Sequence, residues 1–573
     1  MGQKINIFSP VIIMKKNLIL LLSASVLVLS SCSKKMQPFA ADYFTVNPNP
    51  LEATGDLVPA TVTASIPAKF FQKNAEVTVT PYLVYGSKET PGTPLTLQGE
   101  KVRGNNTVVP YEYGSTATMP VAYKYSPEML SSQLFLAFDV KQGSKEYALP
   151  RVKVANGVIA TSTLCDVASV TPAIGHDKFQ RIIKDKVSAD IKFLINQTNI
   201  RKSELGSDEL TALHQTLKEA QTNEKLEVEE INISSYASPE GGVKLNTRIA
   251  SGREQNTKEY LNKELKKNNV TEFGALTSDF TAQDWEGFQQ LVSQSNIQDK
   301  DLILSVLAMY KDPEQREREI RNLSSVFDQL AKDVLPQLRY SRLTASVNII
   351  GKSDAEIEQA YNGNPKSLTV DELLYCATLS DDPKQQAKVY DTCTEIYPED
   401  YRGWNNLGMC QYKLGDFQAA AKNFDKAAKI NPASPEAQMN QGIIALLDDK
   451  YSVAKQKLGN AAGLEELNDA LGAYYVKTGD YNAANAAFGK TVCNNAALAK
   501  ILAKDYSGAK QVLANIAKPN ATTYYLMAVL GARTNNQQMV TSNLRQAVKL
   551  DSTLADRAKN DLEFANINLS SVL

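Results

Sequence analysis

The sequence predicts a multidomain protein with an N-terminal antiparallel β-sandwich, a central α+β domain and a C-terminal solenoid of paired helices. At 573 residues the chain is too long to fold around one hydrophobic core. Its hydrophobic pattern also changes twice along the chain. Short alternating runs occupy 36–164, strand and helix patterns alternate over 175–352, and a repeating helical pattern fills 367–573.

The N-terminal β-sandwich is predicted from period-two patterns between turns. Residues 76–80 alternate polar and apolar side chains, as a half-buried strand does, and 134–138 and 152–159 are further strand candidates. Proline and glycine clusters such as 91–94 separate them. The region contains no pattern typical of catalysis, so we expect a spacer or docking module.

The central domain is predicted from its order of elements: strand, helix, strand, helix, a helical insertion at about 270–336, and a final strand. Ser207 precedes a helix whose leucines have helical spacing and therefore acts as its N-cap. The predicted strands are 189–195, 226–235 and 343–349, and the predicted helices before the insertion are 207–220 and 248–267.

The C-terminal helices repeat with a period near 34 residues, which predicts stacked helix pairs. The clearest unit begins at Tyr401, and its small and large apolar residues recur at fixed places: Trp404, Leu407, Gly408, Ala420, Phe424, Ala427 and Pro432. This unit resembles the tetratricopeptide repeat (TPR), with Gln411 in place of the usual tyrosine. The resemblance implies an α-helical TPR solenoid that binds a protein segment in its groove. Asn405, Met409 and Lys413 are the candidate groove residues.

The segment that follows the second predicted strand of the central domain contains a site-like motif. Gly241, Asn246 and Arg253 occupy the places of the glycine, asparagine and arginine in OmpA-like, peptidoglycan-associated domains, which the central domain therefore resembles. Residues 338–344 are similar to the arginine-rich start of that family's last strand. Ser238 stands where the family has an aspartate.

The OmpA-like resemblance implies a clamp for the zwitterionic end of a peptidoglycan side chain, in which the aspartate holds the ammonium group and the arginine holds the carboxylate. Ser238 carries no charge, so Glu240 is the candidate for the missing anion. The candidate peptidoglycan-binding residues are Ser238, Glu240, Asn246 and Arg253. The alternative is a degenerate domain kept as a structural or partner-binding module.

The first residues of the chain have the pattern of an export signal. Lys15 and Lys16 precede a short apolar run, and Leu-Ser-Ser-Cys ends at Cys32. This ending resembles the lipobox of bacterial lipoproteins, which implies cleavage before Cys32 and acylation of that residue. Residues 1–31 are then a signal peptide with a misplaced start. A plain secretory signal with a chance cysteine is the alternative.

Composition argues against several classes of function. The formal net charge is −1, which gives no global attraction to nucleic acid. The two histidines, His176 and His214, lie far apart, which argues against a metal site and against histidine-based catalysis. Known catalytic and phosphate-binding motifs are missing, so no enzyme activity, metal or cofactor is expected.

The cysteines of the first repeats permit two interpretations. Cys376, Cys393 and Cys410 are each 17 residues apart and fall on alternating helices. A disulfide between Cys376 and Cys393 is one interpretation for a protein outside the cytoplasm. The favoured interpretation is that all three are small buried hydrophobic residues.

The modules together resemble cell-envelope lipoproteins of Gram-negative bacteria, particularly of the Bacteroidetes type. The resemblance implies a non-enzymatic scaffold in envelope assembly or secretion. It would be held in the outer membrane by its lipid and face the periplasm, with peptidoglycan and a TPR-bound protein as partners. A surface-exposed adhesin or fimbria-related lipoprotein is the alternative, followed by an envelope-acting enzyme.

Overall fold

The computed structural model describes residues 35–297, 299–322, 324–570 and 572. The predicted signal segment and Cys32 lie outside these residues. The chain forms two compact units. Of the described residues, the first unit contains those up to 171 together with those of 445–458 and 465–573, and the second contains those of 172–444 and 459–464.

The N-terminal part of the first unit is built from two sheets and a short strand pair. One sheet has the order β1-β3-β8, and the other has the order β10-β9-β4-β6-β7 with β5 paired to β4. The strands are β1 Phe44–Asn47, β2 Leu51–Glu52, β3 Leu57–Ile66, β4 Ala75–Tyr85, β5 Lys88–Pro91, β6 Leu95–Gly99, β7 Thr107–Val109, β8 Ser115–Lys124, β9 Ser132–Gln142, β10 Lys145–Asn156 and β11 Val158–Ile159.

The two sheets share one hydrophobic core because their strands bury alternate residues. In β4 every second side chain is buried, and β3 and β9 show the same alternation. Val62, Val77 and Leu136 all belong to this core. The predicted sheet-rich N-terminal region is confirmed. Its strands are not all antiparallel, however, because β6 pairs with β7, and β2 with β11, in parallel.

The second unit contains a four-stranded sheet with the order β12-β15-β13-β14. Strand β15 is antiparallel to both neighbours, and β14 is parallel to β13. The elements are β12 Ile182–Lys192, α1 Asp208–Glu219, β13 Leu226–Tyr236, α2 Val243–Lys267, β14 Ala275–Thr281, α3 Trp285–Gln294, α4 Lys300–Met309, α5 Pro313–Asn322, α6 Ser324–Gln329 and β15 Tyr340–Ile350.

The α/β region follows the predicted order of elements, with one addition. The Ser207 hydroxyl accepts a hydrogen bond from the Leu210 amide, so Ser207 caps α1 as predicted. Strand β14 is the addition, and its residues fall within the segment predicted as a helical insertion. It lies at the sheet edge and is mostly exposed and polar, which leaves little hydrophobic alternation to detect.

The C-terminal region consists of antiparallel helix pairs. Contacts join α8 to α9, α10 to α11, α14 to α15, α16 to α17, and α18 to α19. The helices are α7 Asp354–Gly363, α8 Val370–Thr378, α9 Pro383–Ile396, α10 Tyr401–Lys413, α11 Phe417–Ile430, α12 Pro435–Leu447, α13 Tyr451–Gly459, α14 Leu467–Thr478, α15 Tyr481–Phe488, α16 Asn494–Leu502, α17 Tyr506–Ala514, α18 Ala521–Arg533, α19 Gln537–Leu550 and α20 Leu554–Asn560.

Small residues let the paired helices approach closely. A Cβ atom on Gly408 would lie 2.8 Å from the Phe424 ring, and one on Gly472 would lie 2.5 Å from the Phe488 ring. Both distances are below van der Waals contact, so the phenylalanine occupies the space that a side chain would need. The glycine and phenylalanine places of the repeat pattern therefore correspond to one packing contact.

Among the described residues, no helix is both long enough and apolar enough to cross a bilayer.

The cysteines of the described residues are free thiols, and Cys376, Cys393 and Cys410 are buried. Burial raises the pKa of Cys376 and Cys410 to about 11 and that of Cys393 to about 12. Because the thiolate is the reactive form, we expect these three thiols to resist a maleimide at pH 7 in the native protein. They should react fully in denaturant without reductant, as measured by intact mass. A requirement for reductant would instead indicate a disulfide.

Candidate functional site

The loop after β13 brings three of the predicted peptidoglycan-binding residues together. The Ser238 hydroxyl donates a 3.0 Å hydrogen bond to the Glu240 carboxylate. The Asn246 amide, at the start of α2, donates to the carbonyls of Ser238 at 3.1 Å and Gly241 at 2.8 Å. Ser238 and Asn246 are each only 4% exposed. Asn246 therefore fixes the shape of the loop.

The carboxylate of Glu240 is paired with an arginine to which the sequence pattern assigned no role. Arg339, which precedes β15, donates to both Glu240 oxygens at 3.1 and 2.9 Å. The side chains of the pair are 11% and 15% exposed. A two-point ion pair of this kind is strong and directional when it is shielded from water. Glu240 is thus already neutralised within the fold.

Arg253 is enclosed behind the same loop. Its three side-chain nitrogens donate to the carbonyls of Gln197 at 3.0 Å, Tyr236 at 2.7 Å and Leu194 at 3.2 Å. The guanidinium lies over the Phe193 ring, and the residue is 1% exposed. Burial, together with the positive charge of Arg339, lowers the pKa of Arg253 to about 10.

The helical insertion covers the loop from the other side. Arg321 of α5 donates a 2.7 Å hydrogen bond to the Glu240 carbonyl. Pro239 is buried and lines a small cavity with Trp285 and Phe288 of α3. The structure therefore differs from the expected open clamp. Glu240, the predicted ligand of an ammonium group, is already paired with Arg339. Arg253, the predicted ligand of a carboxylate, is already hydrogen-bonded to backbone carbonyls.

Asp284 lies against this loop with half of its carboxylate unsatisfied. Its Oδ1 accepts from the Gly287 amide at 2.8 Å and caps α3, whereas Oδ2 is buried with no hydrogen-bond partner among the described residues. Burial raises the pKa of Asp284 above its ordinary value of 3.8. An acid with a raised pKa destabilises the fold when it is ionised, and this penalty is lost as the pH falls from the raised pKa of the native state toward 3.8.

We therefore expect Asp284→Asn to raise the free energy of unfolding by about 1 kcal/mol at pH 7, since asparagine caps a helix equally well without the buried charge. The gain should shrink as the pH approaches 3.8. Urea unfolding followed by Trp285 fluorescence in a Trp404→Phe background, at pH 7 and at pH 4, measures both values. An equal gain at the two pH values would contradict this explanation.

The predicted groove residues lie on α10, the first helix of the clearest repeat. Asn405 is fully buried, and its amide donates to the Ala173 carbonyl at 3.0 Å. Met409 is also buried, and Lys413 is exposed at the end of the helix. Asn405 thus contacts a segment of the same chain, residues 172–178, which has no regular secondary structure and which we call the docked segment.

Two further asparagines were not identified from the sequence. Each binds both the backbone amide and the backbone carbonyl of one residue of the docked segment. Asn406 accepts from the Gly175 amide at 2.8 Å and donates to the Gly175 carbonyl at 2.9 Å. Asn440 does the same with Ala173, at 2.8 Å in both bonds. Each is the sixth residue of its helix, in α10 and α12. We call Asn405, Asn406 and Asn440 the asparagine row.

The docked segment is also held beyond the asparagine row. The Lys178 amide donates to the Asp371 carboxylate at 2.9 Å. Arg402 donates to the His176 carbonyl at 3.2 Å and to Asp371 at 2.6 Å. A Cβ atom on Gly175 would lie 3.0 Å from the Arg402 side chain, so this place favours glycine. The hydrogen bonds that join the segment to the helices are thus made by its main chain.

The same pair of bonds recurs in the first unit. Asn495 of α16 accepts from the Asp166 amide at 2.9 Å and donates to the Asp166 carbonyl at 2.8 Å. Leu164 and Cys165 pack against the helical core of that unit. Asparagines of repeat helices therefore bind both the amide and the carbonyl of one main-chain residue in both units.

The sequence did contain a signal for the asparagine row. Asn406 and Asn440 are 34 residues apart, which is one repeat length. The occupant could not be identified in this way, because residues 172–178 lie far from the repeats in sequence. In the described residues, no group of three or more histidine, cysteine, aspartate or glutamate side chains is arranged to hold a metal ion.

Comparison with known proteins identifies the repeat. Residues 401–434 match the family model of the tetratricopeptide repeat. A tetratricopeptide repeat-containing protein of Caenorhabditis elegans, trd-1, is 25% identical over 126 residues, which are 21% of this chain and 16% of that protein. The chain therefore spans about a sixth of the length of this relative.

Solved structures align with part of the chain. A tetratricopeptide repeat protein from Parabacteroides merdae is 12% identical, covers 36% of this chain and 91% of its own, and has a TM-score of 0.29. PilF from Pseudomonas aeruginosa is 16% identical, covers 38% and 99%, and has a TM-score of 0.29. The chain combines a sheet-rich N-terminal region with a tetratricopeptide repeat at 401–434, and further helix pairs follow up to residue 560.

Proposed function

We propose that this protein is a non-enzymatic scaffold, anchored by lipid at the periplasmic face of the outer membrane, whose repeats hold another protein during envelope assembly or secretion. The observation that carries the proposal is the tetratricopeptide array. Paired helices of this type present a surface that suits the binding of protein segments.

The membrane part of the proposal is supported by the sequence alone. An apolar run with two preceding lysines ends in Leu-Ser-Ser-Cys at Cys32, which resembles a lipobox. Two or more acyl chains at one residue give stable membrane attachment. The lysines that follow Cys32 lack the acidic character associated with surface export, which favours a periplasmic orientation.

For the α/β region we propose a structural or partner-binding role in preference to the peptidoglycan clamp. Its resemblance to OmpA-like domains supports peptidoglycan binding, whereas the pairing of Glu240 with Arg339 and the enclosure of Arg253 oppose it. A ligand would have to break a shielded ion pair in order to reach Glu240.

The scaffold proposal is tested in cells by crosslinking followed by affinity purification of the mature lipoprotein. We expect one protein partner to be captured by the wild type, and labelled palmitate to enter the wild type and not Cys32→Ser. A matched control is Cys493→Ser, which removes a cysteine of the repeat region and should leave labelling unchanged. Soluble Cys32→Ser together with partner capture would support both parts. Wild-type protein that takes up no palmitate would overturn the anchor, and wild-type protein that captures no partner would overturn the scaffold.

The peptidoglycan question has a separate test. We expect the purified mature chain without its lipid to stay in the supernatant when it is centrifuged with peptidoglycan sacculi. Sedimentation of the wild type, reduced in a folded Arg339→Lys variant, would show instead that this loop binds the cell wall. Glu229→Gln, an exposed substitution elsewhere in the same domain, serves as the control.

A further inference from the structure

We propose that the asparagine row is a binding site for extended peptide backbone that the chain closes itself, with residues 172–178 acting as a built-in competitor of the protein partner. The inference rests on the proposed role of the repeats in holding a protein. It adds that the ligand is an extended peptide bound by its main chain, and that residues 172–178 of the same chain close the site.

The first argument is that the site recognises main chain. Asn406 and Asn440 each satisfy the amide and the carbonyl of one residue, in the manner of a neighbouring β-strand. The bound residues, Ala173 and Gly175, are two apart, so an extended chain presents both to the same side. The three asparagines are at most 1% exposed. Asn405 and Asn440 also donate to a neighbouring asparagine of the row, and the occupant completes the remaining hydrogen bonds of these buried amides.

The second argument concerns which peptides would fit. Ala173 is fully buried, and the space beside Gly175 is filled by Arg402. Small residues are therefore required at two alternating places, while the exposed His176 shows that the next place tolerates a large side chain. The segment meets the later repeat first, because Ala173 binds α12 as well as α10, whereas Gly175 binds α10. The ligand is thus an extended peptide with alternating small residues that runs opposite to the order of the repeats.

The third argument concerns competition. The docked segment is tethered, since Arg181 pairs with Asp354 and Tyr375 of the helical region and β12 begins at the next residue. A short tether gives an effective concentration on the order of mM, which a free peptide must exceed. A site of this kind is closed until the segment is released. The apparent affinity for a partner is then the intrinsic affinity multiplied by the fraction of molecules whose site is open.

The test uses the full mature chain and a fluorescent peptide of residues 169–180. Ala173→Pro/Gly175→Pro removes both amide donors from the docked segment, because proline has no N–H, and leaves the asparagine row intact. We expect the peptide to bind this opened variant at least about 100-fold more tightly than the wild type in fluorescence anisotropy. Binding should be lost again when Asn406→Ala/Asn440→Ala is added. The matched control is Asn362→Ala, an exposed asparagine of α7.

A peptide that carries the same two prolines should not bind any variant. Equal binding to the wild type and to the opened variant would overturn the built-in competition. Lack of binding to a folded opened variant would overturn the peptide site, while partner capture in cells would still support the scaffold proposal.

Hydrogen exchange of the wild type decides the question if the opened variant does not fold. The amides of Ala173 and Gly175 should exchange through local opening, faster than those of α10 and α11. Exchange only with global unfolding would mean that the segment is permanently fixed, and the proposal would be wrong.

Discussion

Replacing Glu240 by alanine is expected to lower the free energy of unfolding of the α/β region by about 3–5 kcal/mol. The substitution leaves Arg339 shielded from water without its counter-ion and close to the enclosed Arg253. It also removes the acceptor of the Ser238 hydroxyl. Loss of one member of a buried pair is more damaging than loss of the whole pair, because the remaining charge has no compensation.

The measurement is urea unfolding followed by Trp285 fluorescence in a Trp404→Phe background, since the chain has two tryptophans. Glu229→Ala breaks an exposed pair with Lys184 and should change stability by no more than about 0.5 kcal/mol. The double variant Glu240→Ala/Arg339→Met should recover most of the loss. A Glu240→Ala variant as stable as Glu229→Ala would show that the pair is solvated and that the loop is open to ligands.

Phe424→Ala is expected to destabilise the repeats of the second unit by about 3–5 kcal/mol. Phe424 is fully buried against Gly408 and closes the space between α10 and α11. Gly408→Ala addresses the same contact from the other side, because its Cβ atom would lie 2.8 Å from the ring. We expect this overpacking to cost about 1–3 kcal/mol, partly offset by about 1 kcal/mol of improved helix propensity.

Fluorescence of Trp404, one turn before Gly408, reports the unfolding of this helix pair in a Trp285→Phe background. The combination Gly408→Ala/Phe424→Leu should be less destabilising than the sum of its single variants, since the smaller side chain makes room for the added methyl group. Lys422→Ala, on the exposed side of α11, is the control and should have little effect. Strict additivity of the two changes would show that the two positions are not coupled through a shared contact.

The helical repeats were predictable because their packing is local. Gly408 and Phe424 are 16 residues apart and belong to one repeat, so a fixed spacing encodes the contact directly. Strand β4 was predictable for a similar reason, since polar and apolar residues alternate along 76–80 and mark its buried face. Residues 134–138 of β9 were a strand candidate although all five are apolar. Strand β14 was missed because an exposed edge strand carries no such alternation.

The state of the candidate sites was not predictable, because it depends on contacts that are distant in sequence. Glu240 was selected as a free anion, but its partner Arg339 lies 99 residues later. Asn405 was selected as a groove residue, and its acceptor at Ala173 lies 232 residues earlier. Residue type and spacing indicate which side chains can bind a ligand. They do not indicate whether the chain already satisfies those side chains.

Because the asparagine row binds the main chain of the docked segment, a substitution in that segment and a change in its length have different consequences. Most replacements at the exposed His176 leave every bond to Asn406 and Asn440 in place, so this position is free to diverge between related proteins. Adding or deleting one residue between Ala173 and Gly175 would turn one of the two bonded residues to the opposite side of the extended chain. The number of residues in the docked segment should therefore be the same in related proteins, even where the residue at position 176 differs.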